Sequence, residues 1–349
     1  MSRNARFQFV LFALLVLAGR AGAADLFPPP SAGASARVVV VRGEKLLSAF
    51  LPDDVRVADA FNRGLTNFTR TAGVTDAWRS LVTTNDTVGI KVFSTPGSLA
   101  GTRPAVVAAI VRGLLSAGLP PAQIVVWDKH ADDLRAAGFF KLGAELGVRV
   151  AGAAEAGYDT NSFYLPDSPV IGSLVWGDSE FQKTGEGAGK KSFVSQLVSR
   201  QMTKIISVAP LISENDAGVC GHLFSLALGS VDNTRRFEAA GGERLARALP
   251  EIDALPVIGD RVVLHVTDAL LGQPEGGPAG YLQFSTVLNQ IWFSRDPVAL
   301  DTLALKELGR ESKLAGTPPP QVNLEIFSLA ALLQLGVNDP AKITVETIR

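Results

Sequence analysis

The chain is poor in cysteine. Its 349 residues include one, Cys220. A single thiol cannot form an internal disulfide, and by itself it cannot supply a cysteine zinc site or hold an iron–sulfur cluster. A free cysteine is usually a buried core residue. We favour that interpretation of Cys220 over a nucleophilic pairing with His222.

Blocks of basic residues are also missing. The formal net charge is -1, and lysine and arginine are scattered along the chain. A mildly acidic surface argues against nucleic acid or anionic lipid as the partner. Beyond the N-terminal segment, no stretch is continuously apolar for long enough to cross a bilayer, which needs about 20 residues.

The N-terminal segment has the pattern of an export signal. Arg3 and Arg6 precede an apolar run at 7–18, and small residues suited to cleavage follow at 21–23. We expect the segment to be removed, which leaves 24–349 as a single α/β domain that is periplasmic or secreted. Because the segment carries three arginines and no acidic residue, its loss lowers the net charge from -1 to -4. An uncleaved anchor is the alternative.

Short β-branched runs alternate with helical spacing along the rest of the chain. Strands are predicted at 37–43, 87–93, 123–128, 204–209, 261–270 and 289–293. Alternation of this kind predicts an α/β fold in which a mainly parallel sheet carries helices on both faces. Glycine and proline punctuate 151–191, which predicts an insertion of hairpins and loops. A helix is expected at 193–200.

The stretch SRDPVALDTLALKEL, at 294–308, contains an acidic residue inside an apolar helical face. Asp296 and Pro297 form a helix start. Asp301 falls within the apolar arc of that helix. An unpaired buried carboxylate costs several kcal/mol. We therefore expect Asp301 to meet a cation, a cluster of donors or a metal ion, or to be protonated; its partner can be structural or functional.

Several polar residues stand at the carboxyl ends of predicted strands, where ligands collect in a parallel sheet. Lys91 interrupts the apolar strand GIKVF, Asp128 and His130 end VVWDKH, and Asp268 ends VVLHVTDAL. His265 alternates with apolar neighbours in that last strand, which is typical of a core residue. Each of the others could be an ordinary loop charge, but their shared edge predicts one site.

Two features near that edge suit an anion. The helix predicted from Pro104 directs its N-terminus there, with Thr102 and Arg103 beside it. Gly276 and Gly277 belong to a glycine-rich loop that could close over a ligand, or could be a flexible turn.

The segment 211–237 concentrates carboxylate, amide, imidazole and guanidinium groups. His222 is a candidate proton carrier, and Arg235 and Arg236 are candidate anion contacts. The carboxylates Glu214 and Asp216 would suit a divalent metal, but their spacing matches no metal motif.

The order of these motifs resembles the domain of unknown function 362 family, from about Val88 to Val345. The resemblance is carried by VGIKV, TRPAVVAAIVRGLL, KIISVAPL, GSVDNTRRF, DALLGQPEGGP and SRDPVALD. It implies an α/β fold and little defined chemistry. Many relatives carry ferredoxin-like clusters, which the single cysteine excludes here. Relatives tend to show Lys and His where this chain reads LISEND, and His where it has Glu238, so the resemblance does not carry a metal or catalytic role over to that loop.

A shorter stretch, from Lys91 to His130, is similar to the first domain of nickel-pincer lactate racemases. That similarity implies that Thr102 and Arg103 bind an anion, without implying nickel chemistry.

These observations predict an exported α/β protein that binds a small anionic molecule, with or without a divalent metal, and performs acid–base chemistry on it. The expected catalytic groups are Asp301, Asp268 and His222; the expected ligand contacts are Lys91, Thr102, Arg103, Asp128, Arg235, Arg236, Gly276 and Gly277; and the expected metal ligands are Asp296, Asp301 and Asp268. The alternatives are a non-catalytic solute-binding or assembly factor, and a family member with a degenerate site.

Overall fold

The computed structural model describes residues 34–167, 171–238 and 242–349. The expected export signal and its cleavage site lie outside these ranges. The strands are β1 (Ala36–Arg42), β2 (Leu47–Ser48), β3 (Leu51–Pro52), β4 (Val88–Val92), β5 (Ile124–Asp128), β6 (Arg149–Gly152), β7 (Tyr158–Tyr164), β8 (Ser192–Ser195), β9 (Lys204–Glu214), β10 (Gly218–Val219), β11 (Val262–Gln273), β12 (Thr286–Ser294) and β13 (Ile343–Ile348). The helices are α1 (Asp54–Thr69), α2 (Val74–Arg79), α3 (Gly97–Ala100), α4 (Pro104–Ser116), α5 (Ala131–Ala136), α6 (Phe139–Leu146), α7 (Ala153–Ala156), α8 (His222–Ser230), α9 (Arg235–Glu238), α10 (Gly242–Asp253), α11 (Pro297–Ala315) and α12 (Leu324–Leu332).

A nine-stranded sheet forms the centre of the fold. Its strand order is β13-β1-β12-β11-β9-β4-β5-β6, and β10 pairs with β9. The strands from β11 to β6 along this order are parallel to their neighbours, whereas β12 runs antiparallel to both β11 and β1. The predicted α/β fold with a mainly parallel sheet is confirmed.

The strands bury both of their faces, which is why they appear as continuous apolar runs. In β4, Val88, Ile90 and Val92 point to a core shared with α1, α2, α4 and α6. Gly89 and Lys91 alternate with them and point to the other side, where the core is shared with α8, α10, α11 and α12. Helices therefore cover the sheet on both faces, as the sequence predicts.

The insertion at 151–191 contains the short helix α7 and strand β7, which pairs antiparallel with β8. The prediction of a helix at 193–200 is wrong for the first half of that range. Phe193 and Val194 belong to strand β8, and a π-helical turn follows at Leu197–Gln201. Both side chains are buried against the fold, so pairing with β7 outweighs the helical spacing of the local sequence.

Helix α8 has no counterpart in the sequence analysis. Its residues, HLFSLALGS, are buried on every side except at Phe224, which is half-buried. A helix without a polar face lacks the amphipathic period by which helices are detected. None of the helices in the described ranges is both long and apolar enough to cross a membrane.

Candidate functional site

A cavity of about 530 Å³ opens at the carboxyl ends of β4, β5 and β9, where a parallel sheet is expected to bind its ligands. We call it the strand-end cavity. The polar and aromatic side chains that line it include Phe93, Thr95, Asp128, Lys129, His130, Asp133, Tyr158, Trp176, Asp178, Glu214, Asp216, Ser225, Thr234, Arg235 and Glu238. The insertion supplies Tyr158, Trp176 and Asp178, so it forms one wall of the cavity.

The lining of the strand-end cavity is acidic. Its carboxylates are Asp128, Asp133, Asp178, Glu214, Asp216 and Glu238, and its cations other than histidine are Lys129 and Arg235. Two of these carboxyl groups, those of Glu214 and Asp133, have a pKa raised by burial. Acidic side chains thus outnumber basic ones six to two.

Lys129 is a cavity residue that the sequence analysis missed. It is half-buried, and its Nζ donates a hydrogen bond of 2.6 Å to Thr234 Oγ1. Burial lowers the pKa of this lysine, although Glu238 and Asp178 act in the opposite direction. A lysine with a lowered pKa can serve as a base or a nucleophile. Its position directly after Asp128, at the carboxyl end of a strand, is the sequence feature that could have identified it as a site residue.

Lys91 and Asp128 form a buried ion pair at the floor of the strand-end cavity. Lys91 Nζ lies 2.8 Å from Asp128 Oδ1, and it also donates to Ser225 Oγ at 3.0 Å. The other carboxylate oxygen of Asp128 accepts from both the N–H and the hydroxyl of Ser94, each at 2.7 Å. Asp128 lines the cavity whereas Lys91 does not. Lys91 therefore fixes Asp128 rather than contacting a ligand itself.

Thr102 and Arg103 lie at the start of α4 but outside the strand-end cavity. The N–H and Nη1 of Arg103 each donate to a carboxylate oxygen of Asp268 at 2.9 Å. Thr102 Oγ1 accepts from the Phe93 N–H and donates to the Val208 carbonyl. Both side chains are thus engaged within the protein, Arg103 by the carboxylate of Asp268, and their binding of an anionic ligand stays a prediction.

Asp301 is buried, and its partner is a cluster of backbone donors. Its two oxygens accept from the N–H groups of His222 and Leu223, at 2.8 and 3.0 Å. These are the first two residues of α8, where N–H groups lack partners within the helix. Burial raises the pKa of Asp301 to about 7, and the two N–H groups act in the opposite direction. Asp301 therefore joins α11 to the N-terminus of α8.

Asp296 caps α11, as the sequence predicts. Its oxygens accept from the N–H groups of Ala299 and Val337, both at 2.8 Å. Asp268, Asp296 and Asp301 thus bind three different partners. Within 34–167, 171–238 and 242–349, no three His, Cys, Asp or Glu side chains are grouped so that they could hold a metal ion. These three carboxylates therefore do not form a shared set of metal ligands. Binding of a divalent metal stays a prediction.

His222 is the first residue of α8, and its side chain does not line the strand-end cavity. Its ring nitrogens pair with Ser207 Oγ at 2.9 Å and Thr267 Oγ1 at 3.1 Å, and its ring is 4.9 Å from that of His265. Burial holds its pKa well below the usual value, so the ring is neutral. Cys220 is buried, as expected for a core thiol.

Of the remaining predicted ligand contacts, one lines the strand-end cavity and the others do not. Arg235 lines the strand-end cavity, whereas Arg236 is buried. Arg236 donates to the Lys190 carbonyl at 2.6 Å, which holds the end of the insertion, and to Ser192 Oγ of β8 at 2.8 Å. Residues 276–277 adopt the left-handed conformations that favour glycine, with φ of 95° and 61°. They do not line the cavity, but the adjacent Pro278 does.

We expect the contribution of Asp301 to stability to fall as the pH rises from about 4 to about 7. In this window the folded state, with a pKa of about 7, keeps the proton that the unfolded state, with a pKa near 3.8, has released. Rising pH therefore favours unfolding, by at most about 1.4 kcal/mol per pH unit. The test is urea denaturation of the wild type and Asp301→Asn across this window. The stability advantage of the wild type should shrink with pH; a constant difference would contradict the assignment.

No family model matches the chain, and no curated protein matches it. A solved structure that it resembles, from Thermotoga maritima, has 11% sequence identity and a TM-score of 0.37. The similarity covers 63% of this chain, and the chain spans 51% of the Thermotoga protein, about half its length. A likeness this weak carries no argument about function. The resemblances to the domain of unknown function 362 family and to the nickel-pincer lactate racemases stay predictions.

Proposed function

We propose that the strand-end cavity binds a small organic molecule with a positively charged group, and that Lys129 exchanges a proton with that molecule. The observation that carries the proposal is the excess of carboxylates over cations in the cavity lining. Such a concave site concentrates ligands of the opposite charge. Trp176 and Tyr158 add aromatic faces, which attract organic cations.

The acid–base part of the proposal depends on Lys129 and Asp128. Catalytic bases work best when their pKa lies near the working pH, and burial shifts Lys129 in that direction. Asp128 is held in place by Lys91 and Ser94. A fixed carboxylate beside a lysine that can lose its proton supports proton transfer to a bound molecule.

A small anionic ligand is the second candidate, and Arg235 favours it. This side chain is exposed at the strand-end cavity and has no hydrogen bond or ion pair within the described part of the chain. An anion would bind Arg235 and Lys129 here, rather than Thr102 and Arg103, which are engaged elsewhere.

Binding of n-butylamine and n-butyrate, which share one chain length and carry opposite charges, distinguishes the candidates. Measured by calorimetry on the full chain at equal ionic strength, the amine should bind more tightly. Asp133→Asn removes a cavity carboxylate and should weaken amine binding several-fold, roughly the effect of removing one attractive charge that solvent partly screens. Lys129→Met removes a competing positive charge and should strengthen it.

The adjacent exposed residue Asp132 provides the matched control, since it lies outside the cavity lining. Asp132→Asn should leave amine binding unchanged. Tighter binding of butyrate, lost in Arg235→Met, would support the second candidate instead. Absence of binding by both probes would reject both.

A further inference from the structure

A second cavity, of about 370 Å³, opens at the opposite edge of the sheet from the strand-end cavity. It lies between the start of β11, the start of α11 and the ends of α10 and α12. Its polar lining comprises Asp253, Asp260, His265, Arg295 and Gln334. The two cavities share no lining residue.

Two buried polar groups in the second cavity lack partners. The Asp253 and His265 residues are each 4% exposed. Neither side chain forms a hydrogen bond within the described ranges; Asp253 Oδ1 and His265 Nδ1 are shielded from solvent, which leaves the other carboxylate oxygen of Asp253 and Nε2 of His265 for a ligand in the cavity. His222, whose ring stacks edge-on against His265, has both nitrogens paired. The imidazole on the cavity side is therefore the one that is left unsatisfied.

Buried polar atoms in native proteins are almost always hydrogen-bonded, to the protein, to water or to a ligand. Burial raises the pKa of Asp253 well above its usual value and lowers that of His265 to about 3. Burial therefore disfavours the charged form of both groups. An imidazole that is not protonated carries one donor and one acceptor, and the carboxyl group adds acceptors, so the pair suits a partner that both donates and accepts.

The side chains at the rim of the second cavity also suit a partner that both donates and accepts hydrogen bonds. Asp260 and Arg295 are exposed, and they form no ion pair with each other or with other described residues. Leu226 and Leu335 supply apolar surface beside them. Planar carboxyl, guanidinium and imidazole groups around a small apolar patch can bind neighbouring hydroxyls, because each hydroxyl both donates and accepts.

We propose that the second cavity is a binding site for a small neutral polyhydroxylated molecule, a polyol or monosaccharide. Its hydroxyls bind Asp253 and His265 at the bottom of the cavity and Arg295 at the rim. The volume exceeds that of several water molecules, each of which takes about 30 Å³ in the liquid. This site is independent of the function proposed for the strand-end cavity.

Saturation-transfer NMR on the full chain, with glucose and myo-inositol as probes, tests the proposal. The wild type should transfer saturation to glucose, myo-inositol should compete, and n-butylamine and n-butyrate should not. Arg295→Met, at an exposed residue, should fold normally and weaken binding by about tenfold, the equivalent of one charge-assisted hydrogen bond. Ala254→Phe places a ring in the cavity and should abolish the transfer.

Asp133→Asn, in the strand-end cavity, is the control that should leave glucose binding intact. Melting temperatures show whether each variant is folded. Absence of transfer in the wild type, or equal transfer in folded Ala254→Phe, would overturn the proposal and leave water as the partner of the buried atoms. Competition by butyrate would overturn the assignment to neutral ligands.

Discussion

Asp268→Ala is expected to lower the free energy of unfolding by about 3–5 kcal/mol. Asp268 is fully buried in β11, and its partner Arg103 is 1% exposed. Removing the carboxylate leaves a guanidinium that has no counter-charge and cannot reach water. An uncompensated buried charge is among the most destabilising outcomes of a single substitution. Urea denaturation of the purified variant measures the loss.

The double variant Arg103→Met/Asp268→Leu is the control for this prediction. It removes both charges and fills a similar volume, which is often neutral or stabilising for a buried pair. It should recover only part of the stability lost in Asp268→Ala, because the backbone N–H of residue 103 still lacks the acceptor that Asp268 supplies. A loss in Asp268→Ala below about 1 kcal/mol, the range of exposed ion pairs, would contradict the assignment of a buried pair.

Asp301→Ala is expected to have the second large effect, about 2–6 kcal/mol. The substitution leaves the N–H groups of His222 and Leu223 buried and unsatisfied, at about 1–3 kcal/mol each. Asp301→Asn keeps one carbonyl acceptor and should cost less. The measurement is again urea denaturation, at a pH near neutrality.

Asp53→Ala is the matched control for Asp301→Ala. Asp53 also caps a helix, α1, but its hydrogen bond is exposed. Its loss should cost about 0.5–2 kcal/mol. Equal losses in both variants would show that burial adds nothing at Asp301. A normally stable Asp301→Ala variant that no longer binds amine would instead support the predicted functional role.

The strands were predictable because their apolar runs report burial directly. The runs around Ile90, Val126 and Phe293 lie in the sheet as expected. Helix α8 was not predictable in the same way, because it is buried nearly all round and has no amphipathic period. Without α8, the buried position of Asp301 could be predicted but its partner could not.

The partners of the candidate site residues depend on contacts that sequence spacing does not encode. Asp301 binds an N–H group 79 positions away, and Arg103 binds a carboxylate 165 positions away. Residue type predicted that these side chains need partners, since isolated buried charges are costly. Whether the partner is a ligand or another part of the chain depends on tertiary packing. The same limit explains why the wall formed by Trp176 and Asp178 was missed, because it comes from a loop.

The position of β1 has a consequence for how the chain folds. This first strand lies between β12 and β13, with Ala36 opposite Ile343 and Val39 opposite Phe293. Both of its neighbours come from the last part of the sequence, so ribosomal synthesis is nearly complete before either can pair with it. Sequence-distant pairing slows folding and leaves strand edges open to aggregation meanwhile. Nascent or truncated chains that end before β12 should therefore depend on chaperones to shield β1.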